Sequence, residues 1–85
     1  MPVISMFYGM IIMMFYRDHN PPHFHVDYQG MRAIFDFNGN LVKGKIPSKQ
    51  IKIVQAWCMI HYDELCANWK LASEGGTIYS IEPLK

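Results

Sequence analysis

Cysteine is scarce in this chain: Cys58 and Cys66 are the only two, eight positions apart in a stretch with helical spacing. At about 1.5 Å rise per residue their Cα atoms stand roughly 12 Å apart, beyond disulfide reach. Two unbonded thiols point to a reducing compartment, and the expectation is a bacterial cytoplasm. Excess charge is lacking too. A net charge of +1 at pH 7 excludes a protein held to nucleic acid by bulk charge, leaving room for a local basic patch. The longest apolar run, Val3 to Tyr16, has Gly9 in its middle and falls short of the roughly 20 residues a membrane span needs. It also lacks the positive start of a secretory signal. There is no phosphate-binding glycine loop, nucleophile elbow or zinc-finger spacing.

What is present is apolar material. The chain is 51% hydrophobic and 14% aromatic, which excludes disorder and supports one core in one domain over residues 1–85. Val3–Phe7 and Met10–Arg17 read as strands hinged at Tyr8-Gly9. Both faces of the second are apolar, as in a strand covered on both sides or buried between subunits, so a homodimer or heterodimer through these strands is expected. Gln29-Gly30 and Asn38-Gly39 are two-residue hairpin signals. They make residues 23–28, 31–37 and 40–46 a three-stranded meander.

Its register follows from the turns. Phe24 faces Phe35 and then Val42, Val26 faces Ala33, and Tyr28 faces Met31. On the other side Asp27 faces Arg32, His23 faces Asp36, and His25 faces Ile34, with Lys43 and Lys45 beyond. Like meets like and Asp meets Arg or His, as cross-strand energetics favour. Ser48 is placed to cap a helix over Lys49–Ser73 that stops at Gly75-Gly76, with a break near His61–Asp63 as an option. Thr77–Ile81 reads as a last short strand. The expected fold is α+β: a small antiparallel meander of about five strands, packed by one long C-terminal helix on its Phe24/Val26/Phe35/Val42 face.

The chemistry-bearing residues gather in Asp18-His19-Asn20-Pro21-Pro22-His23-Phe24-His25-Val26-Asp27. The prolines mark a stiff loop, and strict alternation after them puts His23, His25 and Asp27 on one strand face. Three uses of this face stand open. The first is a divalent metal site, with candidate ligands His19, His23 and His25 and Asp18 as an alternative third. The second is RNA chemistry, with His23 or His25 as general acid or base and Arg32, Lys43 and Lys45 on phosphate. The third is a polar surface with no chemistry, in which Asp18, His19 and Asn20 organise a loop or bind a partner. His61 lies on the apolar helical stripe and reads as a core histidine with a hydrogen-bond partner; Trp57 and Trp69 read as anchors.

The same residues carry a family resemblance. Ile4-Ser5, Phe7-Tyr8-Gly9, the run from Asp18 to Val26, Gly44 and Ile46-Pro47 are similar to the bacterial family called domain of unknown function 4160. So are Trp57, His61, Glu64-Leu65 and Asn68-Trp69 on the helix and the closing Ile81-Glu82-Pro83-Leu84. The resemblance implies a small protein encoded beside another short gene in a two-gene module with the look of a toxin–antitoxin pair. It thus implies a protein partner and RNA-directed action, without a mechanism.

Overall fold

The computed structural model describes residues 2–84. Five strands, β1 (Val3–Phe7), β2 (Met10–Met13), β3 (His23–Tyr28), β4 (Met31–Asp36) and β5 (Leu41–Gly44), precede one helix, α1 (Ser48–Ser73). The strands form one antiparallel sheet in sequence order. The α+β meander is therefore the fold, and the β3–β4 register runs from His23↔Asp36 to Tyr28↔Met31 as the turn chemistry dictates. Gln29 and Gly30 both have positive φ (48° and 82°), as do Tyr8 and Gly9, the conformation that twists a two-residue hairpin to match its strands. Among the described residues no helix is long and apolar enough to cross a membrane.

The second meander turn differs from expectation, and the cause is Gly39. Of Asn38 and Gly39 only the glycine takes positive φ (87°), which suits a three-residue loop ending in a left-handed residue; Phe37 joins that loop while its side chain stays buried at 5% exposure, 6.2 Å from Phe24. The loop then holds three residues instead of two, closed by the Asp36 N–H donating to the Asn40 carbonyl at 3.0 Å. One extra loop residue slips the register, and Phe35 pairs with Leu41 in place of Val42. A bulge restores the pattern one step later: Val42 is the surplus residue, and Ile34 pairs with Lys43 as expected. Val42 consequently does not face the helix; it is 61% exposed. Asp36 organises the loop by accepting from the Asn38 and Asn40 amides, both at 2.9 Å, and from Asn40 Nδ2 at 3.0 Å.

Three other expectations are corrected. β2 ends at Met13 instead of Arg17, because the chain swings to the helix C-terminus, where the Arg17 N–H donates to the Ala72 carbonyl at 3.0 Å. Ser48 is the first helical residue; Pro47 occupies the cap position, with no side-chain cap bond. Residues 77–81 form no strand. They are tied down by Asn68, which accepts from the Tyr79 N–H at 3.0 Å and donates Nδ2 to the Tyr79 carbonyl at 2.7 Å, and by the Ile81 N–H on the Ile4 carbonyl at 2.7 Å.

One core joins sheet and helix. Phe24, Val26, Phe35, Val54, Trp57 and Leu65 are fully buried in it. Met10, Ile12 and Met14 are internal as well, at 1%, 0% and 0% exposure, so the apolarity of the second strand is used within the chain. A straight 26-residue helix would run about 39 Å, against a longest dimension of 33 Å. The helix breaks at His61, whose φ of −112° and ψ of 22° are non-helical. His61 is held there by Glu64 (Nδ1 to Oε1, 2.6 Å) and lies against Trp57.

Candidate functional site

The loop before β3 folds back so that Asp18 meets the histidine face of the strand. The Pro21 carbonyl accepts from His23 Nδ1 at 2.8 Å, and His23 Nε2 stands 2.9 Å from Asp18 Oδ2. His25 Nε2 points at the same carboxylate oxygen from 3.6 Å. That is too long for a hydrogen bond, and His25 Nε2 is buried without a partner. The ligating atoms of Asp18, His23 and His25 all lie within 4.8 Å of one another. Their side chains are 18%, 8% and 29% exposed, so the group is shielded and yet reachable.

The packing that fixes these side chains comes from both neighbours. Phe24, between the two histidines in sequence, is fully buried, which locks the strand and aims both imidazoles outward. His23 rests 5.3 Å from the ring of Trp69 on the helix. Phe15 meets the His25 ring edge-on at 4.6 Å. Strand alternation alone leaves His23 open to solvent; the folded-back loop and Trp69 bury it to 7% exposure.

Electrostatics sort the three groups. Burial works against the Asp18 carboxylate, but the His19 amide and the His23 and His19 imidazoles outweigh it and hold the carboxyl below its usual range. For His25, burial and the neighbouring charge of His23 outweigh the pull of Asp18 and Asp27 and push the imidazole down, toward its neutral form. His23 presents a donor–acceptor conflict. A carbonyl only accepts, so Nδ1 carries hydrogen; Nε2 then faces a carboxylate oxygen, another acceptor. Either a second proton or a cation must lie between Nε2 and Asp18 Oδ2.

Not every candidate joins this group. The His19 side chain is 83% exposed; its Nδ1 stands 3.0 Å from the other Asp18 oxygen, Oδ1, which also accepts its backbone N–H at 2.9 Å. Asn20 is exposed in the loop. Asp36, opposite His23 in the register, spends its carboxylate on its own loop. Arg32 is held by Asp27 at 3.0 Å. Lys43 lines the cleft beside the histidines, and Lys45 does not.

That cleft, about 590 Å³, has Asp18, His23 and His25 on one side and Tyr62 and Cys66 of α1 on the other. Neither helical residue belongs to a catalytic sequence motif. The signal that could have found them is the spacing of Tyr62, Cys66 and Trp69, which puts all three on one helical face. Cys66 is exposed, whereas Cys58 is buried; burial and then the charge of Asp36 push the Cys58 thiol up to about 12, which removes it as a nucleophile.

No curated protein and no solved structure matches the chain. A family model does, over residues 9–70, a stretch that includes Asp18, His23, His25, Lys43 and the helix wall of the cleft. On that match the chain belongs to the family described as Domain of unknown function (DUF4160).

Proposed function

We propose that Asp18, His23 and His25 bind one divalent transition-metal ion, and that the chain acts through this centre as a small metal-dependent hydrolytic protein. One observation carries the proposal: two imidazole nitrogens converge on a single carboxylate oxygen, and one of them is buried with no partner. Lone pairs gathered around one point repel unless a positive charge lies among them. Around a tetrahedral ion with ligands at about 2.1 Å, ligand atoms stand about 3.4 Å apart; here the two nitrogens lie 2.9 and 3.6 Å from the shared oxygen. Two imidazoles and a carboxylate suit zinc and its neighbours. Three protein ligands with the next position facing a cleft are the arrangement of a catalytic centre, where a bound ion makes water a nucleophile near neutral pH.

Metal-stripped protein, titrated with Zn²⁺ by calorimetry and with Co²⁺ by visible absorption, is expected to take up one ion per chain. His25→Ala should weaken uptake by more than about 100-fold, because even an outer-sphere partner of a metal ligand is worth 10–100-fold. Circular dichroism of the variant checks the fold. Uptake below one ion, or a His25→Ala variant that binds as well as wild type, sinks the proposal and leaves the metal-free and non-chemical uses of His25.

A second function has its own supporting observation. Met59, Ile60 and Tyr62 are 83%, 64% and 44% exposed around the break in α1, exposed apolar side chains that suit a protein partner, here the product of an adjacent gene in a two-gene module. Co-expression of the two gene products should give a complex that co-elutes. A Met59→Glu/Ile60→Glu double variant should lose it while keeping metal uptake. Co-elution unaffected by the double variant would place the partner elsewhere or remove it.

A further inference from the structure

We infer that the group handled at this centre is a phosphodiester of single-stranded nucleic acid, its phosphate on Lys43 and its two flanking nucleotides in depressions on either side of His25. The inference rests on the proposed reacting centre for its chemistry, while the binding it describes is measured independently.

Two depressions flank one row of side chains. The larger is the cleft of about 590 Å³, and the smaller, about 320 Å³, lies across the sheet toward Phe15 and Arg32. His25, Ile34 and Lys43 line both, forming the ridge between them. Both volumes fall in the range of small-molecule sites. Among the described residues Lys43 has no carboxylate within salt-bridge distance, whereas Arg32 is neutralised by Asp27 at 3.0 Å. Of Lys43 and Arg32, the two that line these depressions, the one free to take an anion is thus Lys43 on the ridge, beside the candidate centre.

The class of anion follows from the shape. A carboxylate carries one substituent, and a phosphodiester carries two. One cation between two depressions fits the second. Each depression also has an aromatic side chain in its wall, Phe15 in the smaller and the exposed Tyr62 in the larger, and flat bases stack on such walls without sequence preference. The bases of a duplex are already stacked on each other, so the strand must be single.

The test is fluorescence anisotropy with labelled single-stranded oligonucleotides, one RNA and one DNA, titrated over a range of salt. Lys43→Gln is compared with Lys45→Gln, a neighbouring exposed lysine that lines neither depression. Lys43→Gln should weaken binding by about fivefold at low salt, the size of one exposed ionic contact. It should also flatten the log–log salt dependence by about 0.7. Lys45→Gln should match wild type. Equal binding of RNA and DNA supports the phosphodiester alone as the recognised group; binding of RNA only adds the ribose hydroxyl. No salt-dependent binding of either strand, or two lysine variants that behave alike, overturns the inference. Co²⁺ uptake by the Lys43→Gln protein separates the two proposals. If the ion loads and no oligonucleotide binds, the substrate class fails and the metal centre stands. If the Lys43 signature is present and no ion loads, the centre fails and the nucleic-acid surface stands.

Discussion

Gly44→Ala is expected to lower stability by about 2–6 kcal/mol, the sum of a left-handed backbone cost and an overpacking cost. Gly44 has a φ of +89°, and an added Cβ would fall on the Arg32 carbonyl oxygen and within 2.9 Å of the Ala33 Cα. Both obstacles are backbone, so no rotamer change relieves them. The same carbonyl accepts the Lys45 N–H at 3.0 Å, and separating the strands forfeits that bond too. Gly30→Ala is the matched comparison, since Gly30 has a φ of +82° but nothing within 4 Å of its added Cβ. It should cost only about 1–2 kcal/mol, the conformational part. Urea unfolding of the two variants isolates the clash as their difference. Equal midpoints would mean that β5 yields freely and that Lys43 is not held in place by the bulge beside it.

Trp57→Ala should be comparably damaging relative to the chain's reserves. Trp57 is fully buried, 5.2 Å from the Phe7 ring and 5.7 Å from that of Phe24. Truncation of such a residue costs about 3–5 kcal/mol, against a total of about 5–15 kcal/mol for a small protein. Its Nε1–H also donates to the Glu82 carbonyl at 2.9 Å. Trp57→Phe separates the two roles, keeping most of the apolar volume while releasing the C-terminal segment. Limited proteolysis of Trp57→Phe should therefore cut within residues 77–84 faster than in wild type, with the core still folded by circular dichroism. Unchanged proteolysis would assign the tail's anchorage to Asn68 and Ile81 alone.

The turns and the alternation made most of the sheet legible. Gln29-Gly30 set the β3–β4 register without ambiguity, because a one-residue slip would have turned Phe24 and Val26 to solvent. The second turn was less legible since Asn-Gly suits a two-residue loop and a lone left-handed glycine suits a three-residue one. Only Gly39 takes positive φ, with Asp36 tying the loop amides, and Val42 was displaced as a result. At the candidate site, alternation put His23 and His25 side by side, and their proximity to Asp18 was foreseeable as an alternative. Which of Asp18 and His19 would turn inward depended on the path of the loop through Pro21-Pro22, and no side-chain pattern encodes that path. Trp69 and Phe15, which shape the site, are distant in sequence or appear as ordinary strand residues. Their roles exist only in three dimensions.

The sheet ends differently on its two margins. Beyond β1, the Ile4 carbonyl is already taken by the Ile81 amide. Among the described residues no strand lies beyond β5, and all four of its residues are exposed. Unpaired strand edges are where chains join, and continuous growth requires two such edges on every molecule, one to give and one to receive. Among the described residues the C-terminal segment covers the β1 margin at Ile4 alone, so a strand added there would first have to displace the Ile81 amide, whereas β5 has no such bond to give up.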